Sequence, residues 1–275
     1  MPLPDTDAVA DVLEHLRERT PLVHALTNIV SANQLTNVLL ASGATGAIID
    51  NPHEAAGFAR IADAVLVNLG TPNDEQAEAF DLAAGTANEA GRPWVLDPVG
   101  VGGLPWRTEL AGGLLKHRPT AIRGNGSEVL AVAGLENASS RAVDSTVDAA
   151  DTVDAARGLL ETSSAVSASG PVDYVTGRGP DGEAATVLVR GGSALLPKVT
   201  ATGCALGALS AAYLAVAADS LTGLVAARAH FAVASEIAET RANGPGTFVP
   251  AFIDALAEVD RQSLREGARI EPAGA

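Results

Sequence analysis

The single cysteine of the chain, Cys204, lies where the segment KVTATGC passes into a run of small apolar residues. This pattern predicts a helix that begins near Thr202, so the backbone N–H groups of Thr202, Gly203 and Cys204 would be unpaired and would attract an anion. The same helix dipole would lower the pKa of the Cys204 thiol, and a thiolate near neutral pH is expected. Alternatively, Cys204 is a small buried residue that packs the first turn.

Two further segments place polar side chains directly after apolar runs. VLDPVGVGG ends a predicted strand on Asp97, next to glycines that let the backbone approach a ligand. IRGNGSE ends another strand on Arg123, followed by Asn125 and Glu128. An arginine can bind a phosphate through two hydrogen bonds, and Asn125 and Glu128 are spaced to face one metal ion through water. Alternatively, Asp97 only forms a turn, and Glu128 only interacts with a helix dipole.

Several common site motifs are absent from the sequence. There is no GxxxxGK[ST] loop, and no GxGxxG follows a strand, so an anion would be bound without a P-loop. One cysteine allows no intramolecular disulfide and no CxxC zinc pair. The five histidines are scattered, and His24, on an apolar strand, is expected to be structural.

The charge of the chain is strongly negative. Thirty-three acidic residues face 18 basic ones, for a net charge of −15, and only Lys116 and Lys198 are lysines. Such a field repels nucleic acid and anionic membranes, and neither is expected as a partner. A carboxylate-rich, lysine-poor surface is typical of proteins from high-salt cytoplasms, where salt screens self-repulsion; an ordinary acidic enzyme is the alternative. The N-terminus has no signal-peptide pattern, which predicts a cytoplasmic protein.

Apolar strands alternate with amphipathic helices along most of the chain. This order predicts an α/β fold, with a mostly parallel central sheet, helices on both faces and a site at the carboxyl ends of the strands. A helix is expected over about 144–162, followed by a hairpin formed by VDYVTG and ATVLVRGG. With 275 residues, of which 47% are hydrophobic, we expect one domain spanning 1–275.

Local signals predict where three of the helices start. Ser31 and Gln34 form a capping box for a helix that Gly43 ends. The other two helices are each expected to open on a residue followed by proline, at Asn51–Pro52 and at Thr71–Pro72.

Six segments occur in the order and spacing of a known enzyme family: PLVHALTN, LDPVGVGG, IRGNGSE, AVDS, VTATGCALGA and GPGTF. Over residues 21–256 the sequence resembles the hydroxyethylthiazole kinase family of the ribokinase-like superfamily. The resemblance implies a ribokinase-like fold and a thiamine-salvage enzyme. Its reaction would move the γ-phosphoryl group of ATP, with Mg²⁺, to the primary alcohol of 4-methyl-5-(2-hydroxyethyl)thiazole.

The resemblance also implies roles for individual residues. Cys204 stands where most of the superfamily has a catalytic Asp and would orient or deprotonate the hydroxyl, while the amides of Thr202 and Gly203 would form the anion hole. ATP would contact Arg123 and Ser169.

Three further groups of positions complete this interpretation. Asn125 is assigned to ATP, and Asp97 and Glu128 to the magnesium side. The substrate wall would include Asn28 and two departures from the family pattern, Ile48 for a common Met and Ala201 for a common Gly.

The resemblance implies a homotrimer with active sites at the subunit boundaries, where the apolar PLVHALTN segment is expected to be buried. Two alternatives remain open: a kinase of a pyrimidine alcohol, and a nucleotide-binding regulator without catalysis. Cys204 in place of Asp disfavours the first. The joint presence of Asp97, Arg123, Glu128 and Cys204 disfavours the second.

Overall fold

A nine-stranded sheet forms the centre of the computed structural model, which describes residues 3–134, 149–179 and 181–273. The strands are β1 (Leu22–Leu26), β2 (Thr45–Ala47), β3 (Ala64–Asn68), β4 (Trp94–Asp97), β5 (Ala121–Asn125), β6 (Ala165–Ser169), β7 (Val172–Arg178), β8 (Ala184–Arg190) and β9 (Arg269–Pro272). Their order is β2-β1-β3-β4-β5-β6-β7-β8-β9. Strands β1 to β6 pair in parallel, and β7 to β9 are antiparallel. The predicted mixed, mostly parallel sheet and its hairpin are confirmed.

Helices cover both faces of the sheet, as predicted. Their bounds are α1 (Thr6–Arg19), α2 (Ile29–Ser42), α3 (Pro52–Ile61), α4 (Asp74–Glu89), α5 (Pro105–Leu114), α6 (Gly126–Val132), α7 (Val153–Leu159), α8 (Thr202–Leu214), α9 (Ser220–Arg241), α10 (Pro245–Glu258) and α11 (Arg261–Gly267). One hydrophobic core lies under α1, α2 and α8 to α11, and a second lies under α3 to α7. Among the described helices, none combines the length and apolar character needed to cross a bilayer.

The capping box predicted from Ser31 and Gln34 is wrong. Helix α2 begins three residues earlier than a Ser31 cap would place it, because Asn28 is its N-cap and accepts a 3.0 Å hydrogen bond from the Ser31 amide. The Ser31 hydroxyl lies 2.7 Å from the hydroxyl of Thr27. An asparagine therefore outcompetes the serine for the cap, and Gly43 ends the helix at φ 100°, as predicted.

Two other helix starts have different outcomes. Asn51 caps α3 and Pro52 is its first residue, as predicted. The start predicted at Thr71 is wrong, since α4 opens two residues after Pro72, with Asn73 as N-cap in a capping box with Gln76.

The helix predicted over about 144–162 is shorter in its described part. A 3-10 turn, Ala149–Thr152, leads into α7, which ends at Leu159. Residues 135–148, including the AVDS segment, lie outside the described residues.

Strand β1 is an interior strand, paired on one side with β2 and on the other with β3. Its residues from Val23 to Leu26 are buried by the chain's own core. The apolar PLVHALTN segment therefore has no need of a second subunit to leave water, and the expectation that an interface buries it is wrong.

Candidate active site

The carboxyl ends of four adjacent strands bring polar residues to one edge of the sheet. In the register between β3 and β4, Asn68 pairs with Asp97, and between β5 and β6, Asn125 pairs with Ser169. Parallel strands place their carboxyl ends together, so residues far apart in sequence share one cleft. The structure thus brings together candidates that the sequence could only place at separate strand ends.

Helix α8 begins at this edge. Its N-cap, Ala201, is in the left-handed region at φ 66° and offers no side-chain hydrogen bond to the first turn. The Thr202 hydroxyl turns back to the Leu196 carbonyl, 3.1 Å away. The first-turn amides of Thr202, Gly203 and Cys204 are therefore without the side-chain cap that closes α2, and their dipoles favour an anion.

Arg123 lies against the first turn of α8. It is buried, and its two terminal nitrogens donate hydrogen bonds to the Gly203 carbonyl, at 3.1 Å, and to the Ser169 hydroxyl, at 2.8 Å. A Cβ on residue 203 would lie only 3.2 Å from the arginine Nη1, so glycine permits this approach. The contacts place a guanidinium charge next to the amides of the first turn.

Asp97 is 1% exposed and only half satisfied. Its Oδ2 accepts a 2.7 Å hydrogen bond from Asn68, whereas its Oδ1 has no partner among the described residues. Burial raises the pKa of this carboxyl, and the nearby Arg123 and the Asn68 hydrogen bond act in the opposite direction. Gly207 of α8 packs against it, since a Cβ there would lie 3.0 Å from Oδ2.

Glu128 is tied to the backbone on both oxygens. Oε1 accepts from the Gly100 amide at 3.0 Å and Oε2 from the Asn125 amide at 2.9 Å, while Asn125 Oδ1 accepts from the Glu128 amide. This capping box gives Glu128 the helix-terminal position expected of the structural alternative. Burial, and then the charge of Asp97, raise the pKa of Glu128 to about 7.

The Cys204 thiol lies 3.8 Å from Asn28 Nδ2, in a partly exposed position. Burial, followed by the negative charge of Asp97, raises the pKa of the thiol, while hydrogen bonds from Asn68 and Asn28 and the charge of Arg123 lower it. The fold therefore acts against the thiolate expected from the helix dipole, because burial disfavours the charged form.

The residue groups fit a magnesium ion held together with a nucleotide. No cluster of three His, Cys, Asp or Glu side chains that would hold a metal by itself exists among the described residues. Mg²⁺ is commonly held by one or two carboxylates plus substrate phosphates, keeping several waters. The unpartnered Oδ1 of Asp97, with Glu128 nearby, supplies that kind of donor set.

Two residues of the predicted substrate wall lie at the same end of the sheet. Ile48 follows β2 directly and packs partly buried against the first core. Asn28 caps α2 and reaches Cys204. His24 is buried, and its Nε2 lies 2.7 Å from the Ile49 carbonyl, whereas its Nδ1 has no partner among the described residues.

Asn68 is the site residue that the sequence interpretation missed. It is fully buried and contacts both Asp97 and Asn28. The signal was present, since AVLVNLG ends its strand on Asn68 as VLDPVG ends on Asp97. An amide carries no charge, so the local pattern alone does not mark it as a site residue.

The order of the strands and the helices on both faces of the sheet define a ribokinase-like fold. A ribokinase-like superfamily protein from Enterococcus faecalis shares this fold, with a TM-score of 0.63 at 12% identity over 95% of this chain and 97% of that one. A hydroxyethylthiazole kinase structure from Pyrococcus horikoshii is much closer, with a TM-score of 0.86 and 34% identity over 97% and 99% of the two chains.

Sequence comparison identifies the family. Residues 13–262 match the hydroxyethylthiazole kinase family. The hydroxyethylthiazole kinase of Rhodococcus erythropolis is 60% identical over 98% of this chain and 96% of its own length. That of Kineococcus radiotolerans is 49% identical over 97% and 94%. The chain belongs to the hydroxyethylthiazole kinase family.

Proposed function

We propose that this protein transfers the γ-phosphoryl group of ATP to the hydroxyl of 4-methyl-5-(2-hydroxyethyl)thiazole. The observation that carries the proposal, within the family assignment, is the contact of Arg123 with the first turn of α8 beside Cys204. A cation, unpaired amides and a group able to meet a hydroxyl then share one cleft. Those are the parts that phosphoryl transfer needs.

The anion hole is assigned to the amides of Thr202 and Gly203. Charge develops on the transferred phosphoryl oxygens, and amides already fixed at a helix N-terminus stabilise it without reorganising. Arg123 adds a positive charge that its bond to the Gly203 carbonyl holds in place. Ser169, bonded to the same guanidinium, and Asn125, at the adjacent strand end, are assigned to ATP.

The magnesium side is assigned to Asp97 and Glu128. When bound, the ion would neutralise negative charge on the phosphates. Asp97 has an oxygen free to accept it, whereas both oxygens of Glu128 already accept from backbone amides. We therefore assign the direct contact to Asp97 and a supporting charge to Glu128.

Cys204 is assigned to the substrate hydroxyl, which it orients or deprotonates. Burial raises the pKa of the thiol, but a loose phosphoryl-transfer transition state makes only a modest demand on a base. Asn28, Ile48 and Ala201 are assigned to the wall that holds the thiazole, because all three lie at the edge that carries Cys204.

The test is a coupled kinase assay with ATP, Mg²⁺ and a panel of thiazole and pyrimidine alcohols. Turnover of the hydroxyethylthiazole above all pyrimidine alcohols is expected. Turnover of a pyrimidine alcohol alone would replace the proposal with that alternative, and nucleotide binding without turnover would favour the regulator. The negative control is an Arg123→Met variant, which keeps the apolar stem of the side chain but lacks its positive charge.

A further inference from the structure

Asn68 joins the two sides of the candidate active site. Its side chain is fully buried at the end of β3, and three hydrogen bonds link it to different parts of the cleft. Asn68 Nδ2 donates to Asp97 Oδ2 at 2.7 Å, and Oδ1 accepts from Asn28 Nδ2 and from the Gly70 amide, both at 3.0 Å. Among the described residues, none of those assigned above to substrate, ATP or metal has hydrogen bonds to the side chains of both Asp97 and Asn28.

The orientation of the Asn28 amide is fixed by its own helix. As the N-cap of α2, Asn28 must present Oδ1 to the Ser31 amide, which it does at 3.0 Å. Its Nδ2 is then forced to point the other way, toward Asn68 Oδ1 at 3.0 Å and Cys204 Sγ at 3.8 Å. The Asn28 donor thus lies between the thiol and Asn68.

The orientation of the Asn68 amide follows from the same chain of bonds. Because Oδ1 accepts from two N–H donors, Nδ2 must be the group that faces Asp97. That bond holds Asp97 Oδ2 and leaves Oδ1 free. Glycine at 70 permits the arrangement, since a Cβ there would lie 2.4 Å from Asn28 Nδ2.

We propose that Asn68 is a positioning residue: it fixes, through Asn28 on one side and Asp97 on the other, the placement of the Cys204 thiol relative to the carboxylate. The inference rests on the proposed function for its kinetic consequence, but not for the hydrogen-bond chain itself. A displacement of about 1 Å between reacting groups can cost about 10²-fold in rate. Asn68 would thus control turnover without touching substrate.

The lone cysteine supplies a probe that is independent of the kinase reaction. Alkylation of apo protein by iodoacetamide can occur at only one thiol, and the midpoint of its pH–rate profile reports ionisation separately from access. The charged groups that act on this thiol are Asp97 and Arg123, and both are unchanged in the variant Asn68→Leu. That variant introduces an apolar side chain of similar size and removes the three hydrogen bonds together with the interaction of Asn68 with the thiol.

Asn68→Leu is expected to raise the alkylation midpoint measurably, because the thiol loses donors that stabilise its charged form. It should lower kcat about 10²-fold, with KM for ATP and the alcohol changed less than about threefold. The matched control is Thr176→Val, which breaks a buried 2.9 Å hydroxyl pair with Thr186 on strands away from the cleft. The control should lose stability and keep both the midpoint and kcat.

The outcomes separate the two proposals. An unchanged midpoint in folded Asn68→Leu overturns the positioning role, as does a shifted midpoint with unchanged kcat in an active enzyme. If wild-type protein phosphorylates none of the alcohols, the proposed function fails and the midpoint alone decides the role of Asn68. Should Asn68→Leu not fold, Asn68→Ser, which is smaller and too short to bridge both neighbours, gives the same two measurements.

Discussion

Two influences of opposite sign act on the Cys204 thiol. The N-terminus of α8 favours a negative charge, whereas burial and the neighbouring Asp97 disfavour it and raise the pKa. A helix dipole is worth up to about 2 kcal/mol in favourable geometries, and desolvation of a buried ion costs more. The acidity of a thiol at a helix N-terminus is therefore limited by its access to water.

Substitution of Cys204 tests its role at the hydroxyl. Cys204→Ala should lower kcat by about 10²-fold, the lower end of the range for general base assistance, because the transition state asks little of the base. It should bind ATP normally, because the amides of Thr202 and Gly203 remain. Cys204→Ser should also lose turnover, and Cys204→Asp should retain more activity than either. Full kcat in folded Ser and Ala variants would show that the thiol only fills space.

The backbone at Ala201 makes a separate stability prediction. A left-handed conformation costs a residue with a Cβ about 1–2 kcal/mol, so Ala201→Gly should stabilise the fold by about 0.5–1 kcal/mol after the larger entropy loss of glycine. Ala77→Gly, inside α4, is the control and should destabilise by about 1 kcal/mol. Urea denaturation measures the change in the free energy of unfolding for both variants. Destabilisation by Ala201→Gly would show that the left-handed backbone at residue 201 is not strained.

At the scale of elements, α8 and α9 are joined by a buried polar pair. The Tyr213 hydroxyl lies 2.9 Å from His230 Nδ1, and His230 Nε2 lies 3.0 Å from the Leu256 carbonyl of α10. The carbonyl can only accept, so Nε2 carries the proton and Nδ1 accepts from the tyrosine. Burial lowers the pKa of His230 to about 4, and the neutral ring is the form the three helices hold.

This pair predicts a pH dependence of stability. The folded pKa lies below the unfolded value of 6.5, so the contribution of His230 is complete above pH 6.5 and is lost as the pH falls toward about 4. His230→Gln should therefore destabilise most at pH 7, and the difference from wild type should shrink by about 3 kcal/mol between pH 6.5 and 4. Denaturant titrations across this range measure it. A difference that does not change with pH would contradict the neutral buried ring.

For the whole molecule, the net charge of −15 predicts a dependence on salt. Self-repulsion among exposed carboxylates weakens as the Debye length falls from about 10 Å at 0.1 M to about 3 Å at 1 M. We expect the melting temperature to rise between dilute buffer and molar KCl. Sucrose at matched water activity is the control for general exclusion effects, and a melting temperature that does not rise with KCl would contradict adaptation to salt.

We propose that the assembly is a homotrimer and that α2 contributes to its interface. Ile29, next to the Asn28 cap, is 86% exposed, and Leu40, three helical turns further along the same side of α2, is 57% exposed. Light scattering should give the mass of three chains, and Ile29→Lys with Leu40→Glu should give one. Leu82→Glu, on α4 across the sheet, is the control and should leave the trimer intact. A wild-type monomer at low and high salt would contradict the assembly.

We also propose that residues 1–275 form one domain. Helix α1 packs on α9 and α11, and strand β9, near the other end of the chain, pairs with β8 in the central sheet. A single unfolding transition, coincident by circular dichroism and tryptophan fluorescence, is expected. Two separated transitions would show that the chain contains more than one domain.

The sequence by itself determined the alternation of strands and helices and the mostly parallel sheet, and it placed several candidate site residues at strand ends. The strand ends at Asp97 and Arg123 can be predicted locally, because each is a run of consecutive apolar residues followed by a polar one. The start of α8 at Thr202 was likewise readable from the change in composition after Ala201.

Only the tertiary structure decided the contacts between strand ends and the direction in which the pKa of the Cys204 thiol is shifted. The register that pairs Asn68 with Asp97 depends on which strands are neighbours, and no local pattern contains it. The cap of α2 falls on Asn28, whose amide also donates to Asn68, a residue forty positions away. The pKa of Cys204 depends on how much water and which charges the fold leaves around it, and these are set by segments distant in sequence.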